Sequence, residues 1–184
     1  MTFPVRPRLL LLLPLLILVS ACGFQLRGSV YSLEQSYGAI KLVNKSGDEA
    51  LYNVVEQALL DTGTSVTPHS NNILVLMDSD EDKRTASYSS RGKSAEYELL
   101  KEITFEFRQG DSVVIPETRF ASRRSYLYRE TAAVGKAEEE NLLWEEMDAD
   151  MAQRILLALR RSAQLQSSAL DTDTDTDTDT DTKQ

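Results

Sequence analysis

The segment from Ala95 to Phe107 constrains the fold most, because its side chains alternate between two characters at every step. One face is apolar and carries Ala95, Tyr97, Leu99, Ile103, Phe105 and Phe107. The other face is polar and carries Glu96, Glu98, Glu102, Thr104, Glu106 and Arg108. A period of two predicts a half-buried strand of an antiparallel sheet. Lys101 on the apolar face and Leu100 on the polar face are the exceptions.

Strands are predicted on both sides of this segment. The apolar run Ile73 to Met77 predicts a strand that continues, after an acidic patch at residues 78–82, through Arg84 to Ser90. The pair Arg91-Gly92 marks the turn before the alternating segment. After it, Gln109-Gly110-Asp111 predicts a hairpin turn into a strand at Ser112 to Tyr128, with Pro116 at a bulge or sheet edge.

Two helices and one earlier strand complete the pattern. Ala39 to Asn44 predicts a short strand, and the Ser-x-x-Glu spacing from Ser46 to Glu49 predicts a capping box that starts a helix. Gly63 is predicted just past the end of that helix. The second helix is predicted from Glu138 to Gln166. Its apolar stripe is Leu143, Met147, Met151, Ile155 and Leu159, which indicates a core face more simply than a ligand site.

These elements predict an α+β fold with the order β-α-β-β-β-α. Two helices packed on one face of a four-stranded, mostly antiparallel sheet is the economical arrangement for that order. We expect one domain over residues 38–167, after a tether over residues 22–37. Residues 168–184 are expected to be a disordered acidic tail, because Asp171 to Thr182 is Asp-Thr repeated six times. Calcium binding by this tail is a weaker alternative.

The first 22 residues have the pattern of a lipoprotein leader. Arg6 and Arg8 precede the apolar run Leu9 to Val19, which is too short for the roughly 20 residues of a spanning helix. Val19-Ser20-Ala21-Cys22 then resembles a lipobox. We expect residues 1–21 to be removed and Cys22 to carry S-diacylglycerol and an N-acyl chain, which together hold a protein stably on a membrane. The alternative is an ordinary secretory signal in which Cys22 has no role.

Composition argues against several functions. The net charge is −9, which argues against nucleic-acid binding through the overall field. One Cys and one His exclude an intramolecular disulfide and a Cys/His zinc site, so we expect no metal and no cofactor besides the lipid anchor. The chain has no phosphate-binding glycine loop and no nucleophile elbow. Since His69 falls in a polar loop and is expected at the surface, we predict that the protein is not an enzyme.

Three motifs resemble one known family. The run Cys22-Gly23-Phe24-Gln25-Leu26-Arg27-Gly28 resembles the opening of LptE, the lipopolysaccharide-assembly lipoprotein. Thr85 to Tyr88, Arg91-Gly92 and Ala95 to Leu99 resemble the central hairpin of that family. Ala133 to Glu140 resembles its basic-then-acidic start of the last helix. The resemblance covers most of Cys22 to Gln166, and the Asp-Thr tail departs from it.

The resemblance implies a binding function at the outer membrane. LptE proteins plug the β-barrel LptD, aid its assembly and bind lipopolysaccharide, so LptD and lipopolysaccharide are the implied partners. Arg91 and Lys136 match the family positions for the lipopolysaccharide contact, and Lys93 is a neighbouring candidate. Two alternatives remain: an accessory or structural lipoprotein of another envelope assembly machine without lipopolysaccharide binding, and a lipid-anchored hydrolase dependent on His69.

Overall fold

Three long antiparallel strands form most of the sheet. The structure, a computed structural model, describes residues 33–88, 90, 92, 94–128 and 133–174. In it β2 (Asn72–Tyr88) pairs with β3 (Ser94–Gln109), and β3 pairs with β4 (Ser112–Leu127). Gly110 has φ +58° in the turn between β3 and β4, a conformation that glycine adopts without steric cost. The hairpin predicted at this position is therefore confirmed.

A short strand at the other edge makes the sheet mixed. β1 (Lys41–Asn44) pairs in parallel with the start of β2, and the strand order is β1-β2-β3-β4. A parallel pair requires a crossover, which is provided by α2 (Glu49–Asp61). The predicted class, helices packed on a four-stranded and mostly antiparallel sheet, is confirmed.

The helices bury one face of the sheet. The last helix, α3 (Ala133–Thr174), contributes Met151, Ile155 and Leu159 to the main core, where they meet Leu51, Val55 and Leu59 of α2. The sheet supplies Leu74, Leu76, Ile103, Phe105 and Phe107 to the same core. The stripe predicted on the last helix is thus a core face. The described residues belong to the unit Tyr31–Gln184.

A third helix lies in the segment that the sequence predicted as a tether. This helix, α1 (Leu33–Tyr37), buries Leu33 and Tyr37 in the main core. The Tyr37 ring lies edge-on to Phe107, with ring centroids 4.8 Å apart, and its hydroxyl hydrogen-bonds Ser162 at 2.7 Å. Five residues are too few to show a helical period in the sequence, so the packing of two side chains is what fixes this element.

The ends of the other helices differ in detail from the predicted ends. The N-cap of α2 is Asp48, which accepts a hydrogen bond from the Leu51 N–H at 2.9 Å, so the predicted Ser46 capping box is wrong. The Ser46 hydroxyl instead donates to Asn44. Gly63 follows α2 with φ +82°, as expected after a helix end. α3 begins five residues before Glu138 and continues to Thr174, into the Asp-Thr repeat that was predicted as disordered.

A β-bulge in β2 changes which side chains face the helices. The register shifts between Leu76 and Asp78. Before the shift Leu74 and Leu76 lie opposite Phe107 and Phe105, and after it Glu81 lies opposite Lys101. The bulge therefore turns an odd-numbered acidic residue toward the helices while Asp78, Asp80 and Asp82 share the helix-free face.

Candidate functional site

The ends of three strands and the start of α3 belong to one end of the sheet, which we call the hairpin end. β2 ends there at Tyr88, β3 begins at Ser94, β4 ends at Leu127, and α3 begins at Ala133 after a five-residue link. The turn that contains Arg91 and the first turns of α3 that contain Lys136 therefore belong to the same end of the sheet. This is the end at which the sequence motifs predicted the ligand contact.

The structure places only one of the predicted site residues. Lys136 is partly buried on α3 and forms an ion pair with Glu139, three residues further along the helix. Arg91, Lys93 and the expected lipid-attachment residue Cys22 lie outside the described residues, as do residues 22–32 of the expected tether and the last ten of the tail. The ligand-contact roles of Arg91, Lys93 and Lys136 therefore stay predictions.

An aromatic cluster holds α3 on the sheet near the hairpin end. Leu99, Tyr126 and Met147 are buried there, with Tyr97 and Trp144 packed around them. The Tyr97 ring lies 5.7 Å from the Tyr126 ring, centroid to centroid. These side chains come from β3, β4 and α3, so the cluster fixes the start of α3 relative to two strands.

A lysine and a glutamate join the same cluster at its polar edge. The Lys83 ammonium lies 4.6 Å from the centroid of the Tyr97 ring and 2.5 Å from Glu140 Oε2. The Tyr126 hydroxyl donates to the same carboxylate oxygen at 2.5 Å. Burial favours the neutral carboxyl, but the hydrogen bonds from Lys83 and Tyr126 outweigh it and lower the pKa of Glu140. Glu140 is therefore charged at neutral pH, and its charge holds Lys83 over the aromatic rings.

A fully buried lysine lies at the middle of the sheet. Lys101 has no exposed surface, and its ammonium group lies 2.8 Å from Glu81 Oε1 and 2.9 Å from Asp48 Oδ2. It also forms an ion pair with Asp148 of α3. The Ser79 hydroxyl donates to Asp48 at 2.7 Å. One ammonium group thus joins β2, β3, the N-cap of α2 and α3. We call these four charged residues the Lys101 cluster.

The charges of the Lys101 cluster determine its protonation. Burial favours a neutral lysine, yet the three carboxylates outweigh burial and raise the pKa of Lys101. Burial also raises the pKa of Asp148, and the like charges of Asp48 and Glu81 add to that effect against the attraction of Lys101. For Asp48, burial is outweighed by hydrogen bonds from Leu51, Ser79 and Lys101, so its pKa is lowered. The sequence signal was Lys101 itself, the one charge on the apolar face of the alternating strand.

The remaining predicted features are simple to place. His69 is exposed in the loop before β2, where its N–H faces Thr67 Oγ1 at 3.5 Å. Across the described ranges no group of His, Cys, Asp and Glu side chains is arranged to hold a metal ion. Within the same part of the chain no helix is both long and apolar enough to cross a membrane.

The fold is shared with solved bacterial lipoproteins. The rare lipoprotein B of Shewanella oneidensis superimposes with a TM-score of 0.57 at 26% identity, covering 72% of this chain and 98% of that one. Lipoprotein B of Nitrosomonas europaea superimposes with a TM-score of 0.63 at 21% identity, covering 82% of this chain and 96% of that one. The class that the fold defines is therefore an α+β domain with helices on one face of a four-stranded sheet, the fold of these lipoproteins.

Sequence comparison gives the family. The family model LptE, described as lipopolysaccharide-assembly, matches residues 39–159. The LPS-assembly lipoprotein LptE of Photorhabdus laumondii is 31% identical over 163 residues, which covers 84% of this chain and 86% of that protein. The chain belongs to the LptE family of lipopolysaccharide-assembly lipoproteins. This confirms the resemblance that the three motifs indicated.

Proposed function

We propose that this protein is an outer-membrane lipoprotein that plugs the β-barrel LptD, aids barrel assembly and binds lipopolysaccharide during its delivery to the cell surface. Its anchor is the lipidated Cys22, exposed by removal of residues 1–21. The function is binding, without catalysis. The observation that carries the proposal is the family membership, which spans residues 39–159 and thus all four strands, α2 and the first part of α3.

The hairpin end supports the proposed ligand contact. Lipopolysaccharide carries phosphate groups, which lysine and arginine bind through charge-assisted hydrogen bonds. Lys136 belongs to that end, on a helix whose position is fixed by the aromatic cluster. Its ion pair with Glu139 is a partly exposed surface contact of about 0–1 kcal/mol. A phosphate displaces such a partner at little cost.

The partner is tested by isolating the tagged chain from detergent-solubilised outer membranes and identifying by mass spectrometry what accompanies it. We expect a large β-barrel protein in equimolar amount that survives detergent washing. Recovery of the lipoprotein with no barrel would contradict the plug function and favour an accessory role in another envelope machine. Mass measurement of the same material shows whether Cys22 is the lipidated N-terminal residue.

The ligand contact is tested by titrating purified lipopolysaccharide into the full chain in detergent. We expect Lys136→Gln to weaken binding about tenfold, since a charge-assisted hydrogen bond contributes about 1.5–3 kcal/mol. Arg91→Gln is expected to act in the same direction. Lys45→Gln removes one exposed charge near β1 and is the matched control. Equal affinities of all four chains would contradict the contact at the hairpin end.

A further inference from the structure

β4 is the outer strand of the sheet, and the odd-numbered residues in its second half direct their backbone groups away from β3. The register with β3 is unbroken from Thr118 to Leu127. The Tyr128 N–H donates to Ala95 O at 2.9 Å, so even-numbered residues bond to β3. Because antiparallel pairing alternates, the N–H and C=O groups of Ala121 and Arg123 face outward along this edge.

Two arginines cover the outward carbonyls. Arg154 of α3 donates from Nη1 to Ala121 O at 3.0 Å, and Arg124 donates from Nη1 to Arg123 O, also at 3.0 Å. A free strand edge normally offers donors and acceptors in turn. Here each of the two outward carbonyls already accepts a guanidinium hydrogen bond, so the outward backbone groups that remain unpaired at Ala121 and Arg123 are N–H donors. The Asp150 carboxylate lies beside them and accepts from Ser122 at 3.2 Å.

Of the four arginines at this stretch, two are paired with acids and two are not. Arg154 is paired with Asp150 at 2.9 Å, and Arg119 is paired with Glu102. Arg123 is exposed, and neither it nor Arg124 forms an ion pair with any acid in the part of the chain that the structure describes. The covered carbonyls are two residues apart, about 7 Å along the strand. A phosphate group that accepts hydrogen bonds from both sides fits between such donors.

We propose that the edge of β4 at Ala121–Arg124, with Arg154 of α3, is a binding site for the phosphorylated headgroup of a glycolipid. The edge repels strand addition because its acceptors are covered, and it attracts a ligand rich in acceptor oxygens. Arg123 and Arg124 supply the unpaired positive charge, and Arg154 covers the Ala121 carbonyl. The choice of a glycolipid rests on the proposed function. The site itself is separate from Lys136, because Ala121 is six residues before the end of β4 at the hairpin end.

The test compares two double variants of the full chain in detergent that remove equal charge. Arg123→Gln with Arg124→Gln removes two charges from the β4 edge. Arg160→Gln with Arg161→Gln removes two adjacent charges from the far part of α3 and is the control. Each chain is titrated with lipopolysaccharide, with dephosphorylated lipopolysaccharide, with inorganic phosphate and with polyglutamate, and each is checked for folding by thermal unfolding.

We expect the β4 variant to lose about tenfold in affinity for lipopolysaccharide and to change less than twofold with the dephosphorylated form. The control variant should change less than twofold with both. If the β4 variant does not fold, Arg123→Gln alone decides the matter, because the Arg123 side chain is exposed and forms no ion pair with a described acid.

Each of the following results would overturn the site. Equal losses in the two double variants would mean a general charge effect. If the wild-type chain binds inorganic phosphate as tightly as lipopolysaccharide, the edge is an ion site that does not recognise a lipid. If the β4 variant loses as much affinity for polyglutamate as for lipopolysaccharide, the partner is an acidic polypeptide. If the wild-type chain binds lipopolysaccharide and Lys136→Gln weakens it while the β4 variant does not, only this site fails. If the wild-type chain binds no lipopolysaccharide, the proposed function fails as well.

Discussion

Lys101 shows how a single residue ties distant elements together. Its ammonium group meets carboxylates from β2, the α2 N-cap and α3, and none of its surface is exposed. Transfer of ions into the interior is costly, and the attraction among them offsets that cost only when each member keeps its partners. The Lys101 cluster therefore specifies where the helices lie on the sheet more than it adds to stability.

Replacing Lys101 with methionine is expected to lower the free energy of unfolding by about 3–5 kcal/mol, because Asp148 and Asp48 lose their counter-charge in a largely buried place. Urea unfolding followed by circular dichroism measures the loss. Lys45→Met, at an exposed position, should change stability by less than about 0.5 kcal/mol. Equal stability of the Lys101 variant and the wild type would mean that the cluster is hydrated and weak.

Asp48→Asn separates the charge of the N-cap from its hydrogen bond. Asparagine still accepts from the Leu51 N–H, but it has no charge for Lys101, so we expect a loss of about 1–2 kcal/mol at pH 7. The pKa of Asp48 is lowered by folding, so its charge contributes stability above its usual pKa, about 4, and that contribution disappears as pH falls through the folded-state pKa. The difference between the two proteins should therefore shrink below about pH 4.

Stability measured from pH 7 down to pH 2 checks this prediction. Asp80→Asn removes an exposed carboxylate of β2 and is the control. We expect it to change the free energy of unfolding only slightly at every pH. A difference between Asp48→Asn and wild type that stays constant over the whole range would show that the charge of Asp48 has no part in the effect.

At the scale of elements, the short helix α1 depends on packing alone. Its five residues are below the length at which a helix is stable in water, and Leu33 and Tyr37 are both buried against the ends of α3 and β3. Neither the apolar run before α1 nor the strand after it shows a helical periodicity from which α1 could be predicted. The helix α1 forms because its two buried side chains, Leu33 and Tyr37, fill part of the main core.

Leu33→Ala is expected to lower the free energy of unfolding by about 2–5 kcal/mol, since it leaves a cavity in the main core. Leu60→Ala, at a leucine of α2 that is 47% exposed, should cost less than about 1 kcal/mol and is the matched control. Chemical unfolding of the two variants measures both values. Similar small losses would mean that residues 33–37 are a tether after all.

Glu140→Gln tests how the first half of α3 is held. Without the charge of Glu140, Lys83 loses its partner while the Tyr126 hydroxyl keeps an acceptor, so the expected cost is below about 1 kcal/mol. We expect faster hydrogen exchange in the first turns of α3 and unchanged exchange after Met151, which is packed in the main core. Glu138→Gln, at an exposed position two residues earlier on the same helix, is the control. Uniform acceleration along α3 would contradict a local role.

At the scale of the whole molecule, negative charge is distributed unevenly. The chain carries −9 overall, and six aspartates are concentrated between Asp171 and Thr182. An acidic surface repels anionic ligands, so we expect any binding of lipopolysaccharide to be confined to locally basic places.

Removal of residues 171–184 is expected to leave the free energy of unfolding unchanged within about 0.5 kcal/mol, because Ala163 is the last buried residue of the described part of α3. Affinity for lipopolysaccharide should rise at low ionic strength and match the full chain at high salt, where the charges are screened. Thermal unfolding and titration at two salt concentrations check both. A loss of stability above about 1 kcal/mol would show that the tail packs on the domain.

Local signals in the sequence determined most of the architecture. The alternation from Ala95 to Phe107, the Gly110 turn and the stripe on the last helix each arise from neighbours within one element, so strands, turns and helices were predictable. The three motifs at residues 22–28, 85–99 and 133–140 together indicated the family, which the comparisons confirmed. Lys136 was predicted in the same way, by position in a motif.

Contacts between remote segments were decided only by the tertiary structure. The burial of α1, the bulge at Leu76 and the carboxylates around Lys101 depend on residues that are far apart in the chain. The donor-only edge of β4 likewise needs Arg154 of α3, 33 residues from the carbonyl it covers. A sequence pattern records the period of one element, whereas these features depend on which faces meet after folding.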